Sequence, residues 1–315
     1  MSFSGDVKRE IAEHIGSARH CVIAELSALI QALGKWSVEP VSLAIHAESE
    51  LAYKKVFTLM QKAFNIKIEA DEISSEGAGF TSRIETPSHV YTILSAVGLI
   101  HRTAEGWESS EAAEDRITAR SCCKRAFVRG TFLGCGSIND PSKTYHMEFV
   151  FEQETQANKL QKILKEFEVE THSLTRQRGS RKLNVVYLKD GQQIADVLNI
   201  MGSHHALLRF EDIRVVKDVR NQVNRQVNCE AANLDRVVSA AVRQLEDIRY
   251  LKDTIGLEEL PAGLKEAAML RLENEDLSLK ELAAMMGIGK SGVNHRFRKL
   301  MAMAEEIRKT AQNQA

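Results

Sequence analysis

The sequence predicts an α+β chain: a duplicated α/β unit, then an all-α segment that ends in a helix-turn-helix. Three observations carry this. A column of small residues, Ala24, Ala28 and Ala32, returns about 102 residues later as Ala126, Gly130 and Gly134. Strand-like alternation ends after Gly202, and apolar residues then recur at threes and fours, as a helix requires. The stretch Leu277–Leu300, LSLKELAAMMGIGKSGVNHRFRKL, carries a helix cap, a glycine turn and a second helix in succession.

In chain order, short helices are expected at Val7–Ile15 and Cys21–Leu33, a strand at Val41–Ala47 and an amphipathic helix at Leu51–Phe64. A strand pair follows at Ile66–Ile73 and Phe80–Glu85, joined by a Ser/Gly-rich turn. Pro87 opens a helix that runs to about Val97. The second copy repeats the order: a helix at Cys123–Gly136, a strand at Thr144–Phe151, a helix at Gln153–Phe167, strands at Val169–Leu174 and Leu183–Leu188, and a helix from Gly191 to Met201. Small residues at spacing four let two helix backbones approach closely, so the two halves are expected to join through their small-residue helices. Val223, Val227, Leu234, Val238, Ala241, Leu245 and Ile248 make the next segment helical. None of the four prolines (Pro40, Pro87, Pro141, Pro261) interrupts it. Leu260-Pro261 opens one more helix, to about Leu272, with proline in a favoured first-turn position. The expected domains are residues 1–210 (repeats at about 1–103 and 104–210), a helical linker at 211–255 and a helix-turn-helix domain at 256–315.

Ser278 and Glu281 form the S-x-x-E pattern of a capping box, in which each side chain satisfies a free backbone donor at a helix start. Leu279, Leu282, Ala283 and Met286 share one face. Gly287-Ile288-Gly289 breaks the helix, because glycine takes the positive φ that a tight exit needs. The second helix has Val293, Phe297, Leu300, Ala304 and Ile307 on its apolar side. Its other side carries Ser291, Asn294, His295, Arg298 and Lys299, flanked by Lys290 and Arg296. No acidic residue lies between Gly287 and Ala304. Such a face suits a phosphate-lined major groove: Asn, Arg and Ser donate to base edges, while Lys and Arg hold phosphates. The alternative is a solvated helix in an ordinary all-α domain.

Composition bounds the rest. The length of 315 residues fits about two domains. The net charge of −1 means that any nucleic-acid site must be a local patch. No apolar run approaches a membrane span of roughly 18 residues, and MSFSGDVKREIAEHIG lacks the apolar core of a signal peptide. The expected location is therefore the cytoplasm, at the nucleoid. The five cysteines, Cys21, Cys122, Cys123, Cys135 and Cys229, show no CxxC or CxH spacing. The odd count and the lack of that spacing argue against a disulfide framework or a zinc site and for buried free thiols, with a redox pair at Cys122-Cys123 as the lesser reading. No cofactor is expected.

Four stretches resemble one family: CCKRAFVRGTFLGCGSIND (Cys122–Asp140), SHHALLRFEDIRVV (Ser203–Val216), VRNQVNRQVNCEAANLD (Val219–Asp235) and SLKELAAMMGIGKSGVNHRFRKL (Ser278–Leu300). The paired small-residue helices resemble those of LAGLIDADG homing endonucleases, and the C-terminal motif is similar to that of sigma-factor region four. Together they resemble the WhiA family across almost the whole chain. The resemblance implies a sequence-specific transcription regulator, linked to sporulation or to cell division and chromosome segregation. Its partners would be double-stranded promoter DNA and transcription or cell-division proteins. An active LAGLIDADG nuclease needs an acidic residue near the end of each central helix to hold divalent metal. The aligned positions here are Leu33 and Cys135, and Asp140 has no counterpart in the first half. The resemblance therefore implies a saddle without nuclease chemistry. The competing classes are a metal-dependent endonuclease and a protein-interaction scaffold anchored on DNA.

Secondary candidates remain. Arg176, Arg178, Arg181 and Lys182 lie in an acid-free stretch between two strands; they are either a DNA-facing hairpin, adding salt dependence, or a solvated turn. Arg116, Arg120, Lys124, Arg125 and Arg129 read as packing residues, and His204-His205 as structural, since no ligand set surrounds them. Asn221, Asn224, Arg225, Asn228, Cys229, Glu230 and Asn233 suit either an interdomain hydrogen-bonded interface or phosphate contacts.

Overall fold

A computed structural model describes residues 2–66 and 79–314. The chain divides into two compact units, residues 1–218 and 219–315. In the first unit, α1 (Phe3–Glu13) leads to α2 (Arg19–Leu33), β1 (Gly34–Val38), β2 (Val41–Ala47), α3 (Glu50–Phe64), β3 (Phe80–Ile84) and α4 (Pro87–Ala96). A hairpin, β4 (Ile100–Arg102) with β5 (Trp107–Ser109), and a 3-10 turn at Asp115–Thr118 connect to the second half. There α5 (Ser121–Cys135) is followed by β6 (Gly136–Ile138), β7 (Met147–Phe151), α6 (Glu154–Lys165), β8 (His172–Arg178), β9 (Arg181–Leu188) and α7 (Gly191–Met201). The second unit is helical: α8 (His204–Thr254), which begins in the first unit, then α9 (Ala262–Glu273), α10 (Leu279–Met285) and α11 (Lys290–Gln314).

The duplication is visible in the topology. Each half runs central helix, antiparallel strands, amphipathic helix, strand. The sheets are ordered β1-β2-β3 and β6-β7-β9-β8. Alternate residues Leu43, Ile45 and Ala47 of β2, and Met147, Phe149 and Phe151 of β7, are buried, the period-two pattern of a sheet with one face on the core. The expected strand Ile66–Ile73 lies almost entirely outside the described residues, as does the turn after it. β1, β4, β5 and β6 are strands that periodicity does not reveal, because three to five residues are too few to establish alternation. The strands after α6 also extend further toward their turn than expected: β8 spans His172–Arg178 and β9 begins at Arg181, so Arg176, Arg178, Arg181 and Lys182 belong to the ladder, and the turn is Gly179-Ser180.

Helices α2 and α5 lie side by side in the same direction and form the centre of this unit. The small-residue column is the contact. A Cβ on Gly130 would meet the Glu25 carbonyl oxygen at 2.4 Å and Ala28 Cβ at 3.0 Å; a Cβ on Gly134 would meet Ala32 Cβ at 2.5 Å. Glu25 is fully buried at this junction. Its carboxylate pairs with Arg129 of the other half at 2.9 Å and with Lys55 of α3 at 3.2 Å. Lys55 also donates to the carbonyls of Ile11 (3.2 Å), Ala12 (3.0 Å) and His14 at the end of α1. Lys159 does the equivalent in the second half, donating to the Ala113 carbonyl at 2.5 Å and to Asp115 at 3.1 Å. Each buried lysine thus holds the segment that enters a central helix, and burial lowers the pKa of both.

The start of α8 is capped from a distance. Glu10 of α1 accepts from the amides of His205 (2.8 Å) and Ala206 (3.0 Å) and from the Ser203 hydroxyl (2.8 Å). This carboxylate supplies acceptors that a helix N-terminus lacks. Burial works against its charged form, but these donors outweigh burial and hold the Glu10 pKa below its ordinary value.

Two outcomes follow. Gly130→Ala forces backbone apart at the centre of the unit and should lower stability by about 1–3 kcal/mol, read as a lower Tm for the N-terminal transition; an unchanged Tm would mean that the helices do not meet there. Glu10→Gln should also lower Tm at neutral pH. Because the folded pKa is depressed, the wild-type advantage is present above the ordinary glutamate range and is lost as pH falls through the lowered folded value. A difference that persists undiminished in acid would contradict this role.

Candidate nucleic-acid interface

The second unit is built around one small core. Ile248 and Leu251 from the end of α8 pack with Leu264, Ala267 and Ala268 of α9, Leu282 and Ala283 of α10, and Val293, Phe297, Leu300 and Ala304 of α11. The capping box forms: the Ser278 amide donates to Glu281 Oε2 at 2.8 Å, and the Glu281 amide to Ser278 Oγ at 3.4 Å. These bonds lower the pKa of Glu281. Gly287 takes φ +62°. That conformation lets the Ile288 amide reach back to the Ala283 carbonyl at 3.1 Å and close α10. Helix α11 starts three residues later, and its first-turn amides are available to an anion in the way of any helix N-terminus.

Arg271 locks this arrangement. It is 1% exposed. Its guanidinium donates to Gln244 of α8 at 3.2 Å and to the carbonyls of Leu277 (2.5 Å), Glu275 (3.4 Å) and Asn274 (3.5 Å) in the loop before α10. It also lies 5.4 Å from the ring centre of Phe297 in α11. One side chain therefore ties four parts of the unit together, and burial lowers its pKa.

With Val293, Phe297 and Leu300 turned inward, the outer surface of α11 is set. Lys290, Ser291, His295, Arg298 and Lys299 are exposed, and Asn294 is half-buried beside them. Among the described residues, no carboxylate pairs with Lys290, Arg298 or Lys299. Arg296 behaves differently. It turns to α9, where it pairs with Glu266 at 2.8 Å and lies over Gly263. Its phase, one residue before the buried Phe297, carries it to the side of the helix that faces α9.

The first unit offers a second basic surface. The register Arg176↔Leu183, Gln177↔Lys182 and Arg178↔Arg181 puts Arg176, Arg178 and Arg181 on one face of the hairpin and Lys182 on the other. Every residue of β8 is exposed. Arg176 pairs with Glu148 and Arg181 with Glu152, each at 3.4 Å. Arg178 and Arg181 line a groove of about 670 Å³ together with Gln31, Leu33, Lys35 and His46. The groove lies at the C-terminal end of α2. Leu33 and Cys135 are the last residues of α2 and α5. The Cys135 thiol donates to the Thr131 carbonyl at 3.4 Å, and burial pushes its pKa up to about 12. Lys35 and His46 are contributions that sequence spacing could not have joined to the hairpin.

The remaining candidates are structural or solvated. Arg116 bonds Glu114 and the Ser95 carbonyl, Lys124 pairs with Glu166, Arg125 lies over Phe167, and Arg129 holds Glu25. His204 and His205 are exposed at the start of α8. The Asn-rich stretch of α8 is exposed throughout, and the bonds seen there, Arg225 to the Asn221 carbonyl, Gln226 to Glu230 and Asn233 to the Cys229 sulfur, stay within the helix.

Comparison with known proteins agrees with both halves of this description. Residues 124–220 match the WhiA LAGLIDADG-like domain, and residues 223–304 match the WhiA C-terminal HTH domain. A probable cell division protein WhiA from Lachnoclostridium phytofermentans is 42% identical, over 98% of this chain and 100% of its own length. Another from Desulforamulus reducens is 41% identical, over 98% of this chain and 97% of its own. The crystal structure of full-length DUF199/WhiA from Thermatoga maritima aligns with TM-score 0.58 and 25% identity, covering 97% of this chain and 99% of that one.

Arg271→Ala leaves a cavity and several carbonyls without a donor. It should destabilise the C-terminal unit by about 2–4 kcal/mol while leaving the N-terminal transition in place. Equal melting of wild type and variant would show that Arg271 is not the tie described.

Proposed function

The chain belongs to the WhiA family, and from that premise we propose that it is a sequence-specific transcription regulator that binds promoter DNA through α11. The observation that carries the reading is the outer face of α11. Lys290, Ser291, Asn294, His295, Arg298 and Lys299 present donors and positive charge, and among the described residues no acid pairs with Lys290, Lys299 or Arg298. A helix of this kind fits the major groove, where Asn294 and Arg298 would donate to base edges. Lys290 and Lys299 would hold phosphates. Arg296 has a share in positioning α11 through Glu266 rather than in reading bases.

The N-terminal unit is proposed to be a nuclease-derived scaffold without cleavage chemistry. Leu33 and Cys135 support this reading: an alkyl side chain and a neutral thiol offer no oxygen to a hard cation such as Mg²⁺. Its hairpin supplies a secondary DNA contact. Arg178 and Lys182 have no carboxylate partner among the described residues, whereas Arg176 and Arg181 are paired; Arg178 is therefore the strongest donor on the face that carries the three arginines. Through its relatives' names the chain is linked to cell division, and we extend the proposal to chromosome segregation or sporulation and to a cytoplasmic, nucleoid-associated location. No helix among the described residues is long and apolar enough to cross a membrane.

The test is selection of bound duplexes from a random pool by the full chain, followed by incubation with Mg²⁺. A single enriched motif that survives intact is expected; cleavage products would restore the endonuclease reading. On that motif, Lys290→Ala should weaken binding uniformly across sequences and reduce the salt slope by about 1. Arg178→Ala should do the same more weakly. An unchanged slope for Lys290→Ala would remove it from the phosphate contacts.

A further inference from the structure

The first turns of α2 and α5 bring two dipeptides together. His20-Cys21 and Cys122-Cys123 occupy equivalent places in the two repeats, and the side-by-side run of the central helices makes them neighbours. His20 Nδ1 lies 3.2 Å from Cys123 Sγ, 3.3 Å from Cys21 Sγ and 3.9 Å from Cys122 Sγ. All four ligand atoms lie within 4.8 Å of one another. Of these three thiols the expectation of burial holds only for Cys123; Cys21 is half-buried and Cys122 is exposed.

We propose that His20, Cys21, Cys122 and Cys123 form a tetrahedral site for a borderline-soft divalent cation, Zn²⁺ foremost, that clamps the two repeats together. Three thiolates and one imidazole are the donor set of a closed structural zinc site. Bond lengths of about 2.3 Å to sulfur and 2.0–2.1 Å to nitrogen space tetrahedral ligands roughly 3.5–3.8 Å apart. The separations to His20 already bracket that range, so closure needs only small side-chain rotations. Burial and the neighbouring thiols push the Cys21 pKa up to about 12 and raise that of Cys123 against the opposing charge of Arg120, so the cation must displace the thiol protons. The segments entering both helices are fixed by Lys55 and Lys159, so the ligands stand on held backbone. Entry is open through Cys122. Binding displaces the thiol protons to solvent and forms three S–Zn bonds and one N–Zn bond, with no change of oxidation state.

The site is at the end of the helix pair opposite Leu33 and Cys135. It is thus independent of the place where a nuclease would hold its metals, and the donor set is wrong for Mg²⁺. No ligand spacing in the sequence reveals it, because the two dipeptides lie about a hundred residues apart.

The experiment uses the full chain, reduced and stripped of metal by a chelator, titrated with Co²⁺. The expected result is the visible absorption and sulfur-to-metal charge transfer of tetrahedral thiolate-bound Co²⁺, saturating at one ion per chain and displaced by Zn²⁺. Cys122→Ser and His20→Asn should each weaken binding by at least about 100-fold, since even an outer-shell partner is worth up to about that much. Cys229→Ser, an exposed thiol on α8, should leave it unchanged. Alkylation of the wild type gives a readout independent of variant folding: Zn²⁺ should protect Cys21, Cys122 and Cys123 but not Cys229. Absence of the Co²⁺ spectrum, failure of Zn²⁺ to protect those three thiols, or a spectrum indifferent to both Cys122→Ser and His20→Asn would overturn the proposal. So would a disulfide among these cysteines in native protein whose reduced form takes up no metal.

Discussion

The close approach of α2 and α5 is the constraint on which the N-terminal unit depends. Gly130 and Gly134 leave no room for a Cβ between the backbones, so the helices meet along the column of small residues. That approach fixes the rest. It buries Glu25 between the halves, and an ion so placed must be paired. Breaking such a pair costs about 3–5 kcal/mol, because the partner charge is left stranded in the interior; here two cations, Arg129 and Lys55, would be left. The same approach brings the helix starts into contact, which gathers His20, Cys21, Cys122 and Cys123.

The C-terminal unit solves a different problem with similar means. A core of this size, shared by α9, α10, α11 and the end of α8, has few apolar residues to fix the angle of α11. A buried arginine does part of that work. Arg271 reaches α8, the loop before α10 and the ring of Phe297 at once. Arg296 adds a second tie from α11 to α9. Both ties act on the inner and lateral sides of α11, which leaves Lys290, Ser291, His295, Arg298 and Lys299 free to face outward. The division of labour between the buried Phe297 and the exposed Arg298, adjacent in sequence, follows from the 100° turn between successive helical residues.

The parts of this fold that were legible in sequence are those written locally. The capping box at Ser278 and Glu281, the exit at Gly287 and the apolar spacing of Val293, Phe297, Leu300 and Ala304 each lie within a few residues. The duplication was legible because the small-residue column repeats. What was hidden depends on residues far apart. Glu10 caps α8 from nearly two hundred residues away, Glu266 takes Arg296 out of the outer face, and the thiol–imidazole cluster needs both repeats. The hairpin was displaced for a different reason: β8 is a polar, wholly exposed strand, and without an apolar face it gives no alternation to read. Short strands such as β6 follow directly from a helix end and leave no signal of their own.

On the proposed function, α11 reads sequence and the other basic surfaces only hold the duplex. The most direct measurement compares full-length wild type with the Asn294→Ala, Arg298→Ala double variant, on the preferred duplex and on a scrambled one, across a salt series. The double variant is expected to keep salt-dependent binding to both duplexes but to lose the preference, each lost base contact being worth about 1–3 kcal/mol of discrimination. A double variant that still prefers its duplex as strongly as wild type would rule out α11 as the reader and move the reading surface to the N-terminal hairpin.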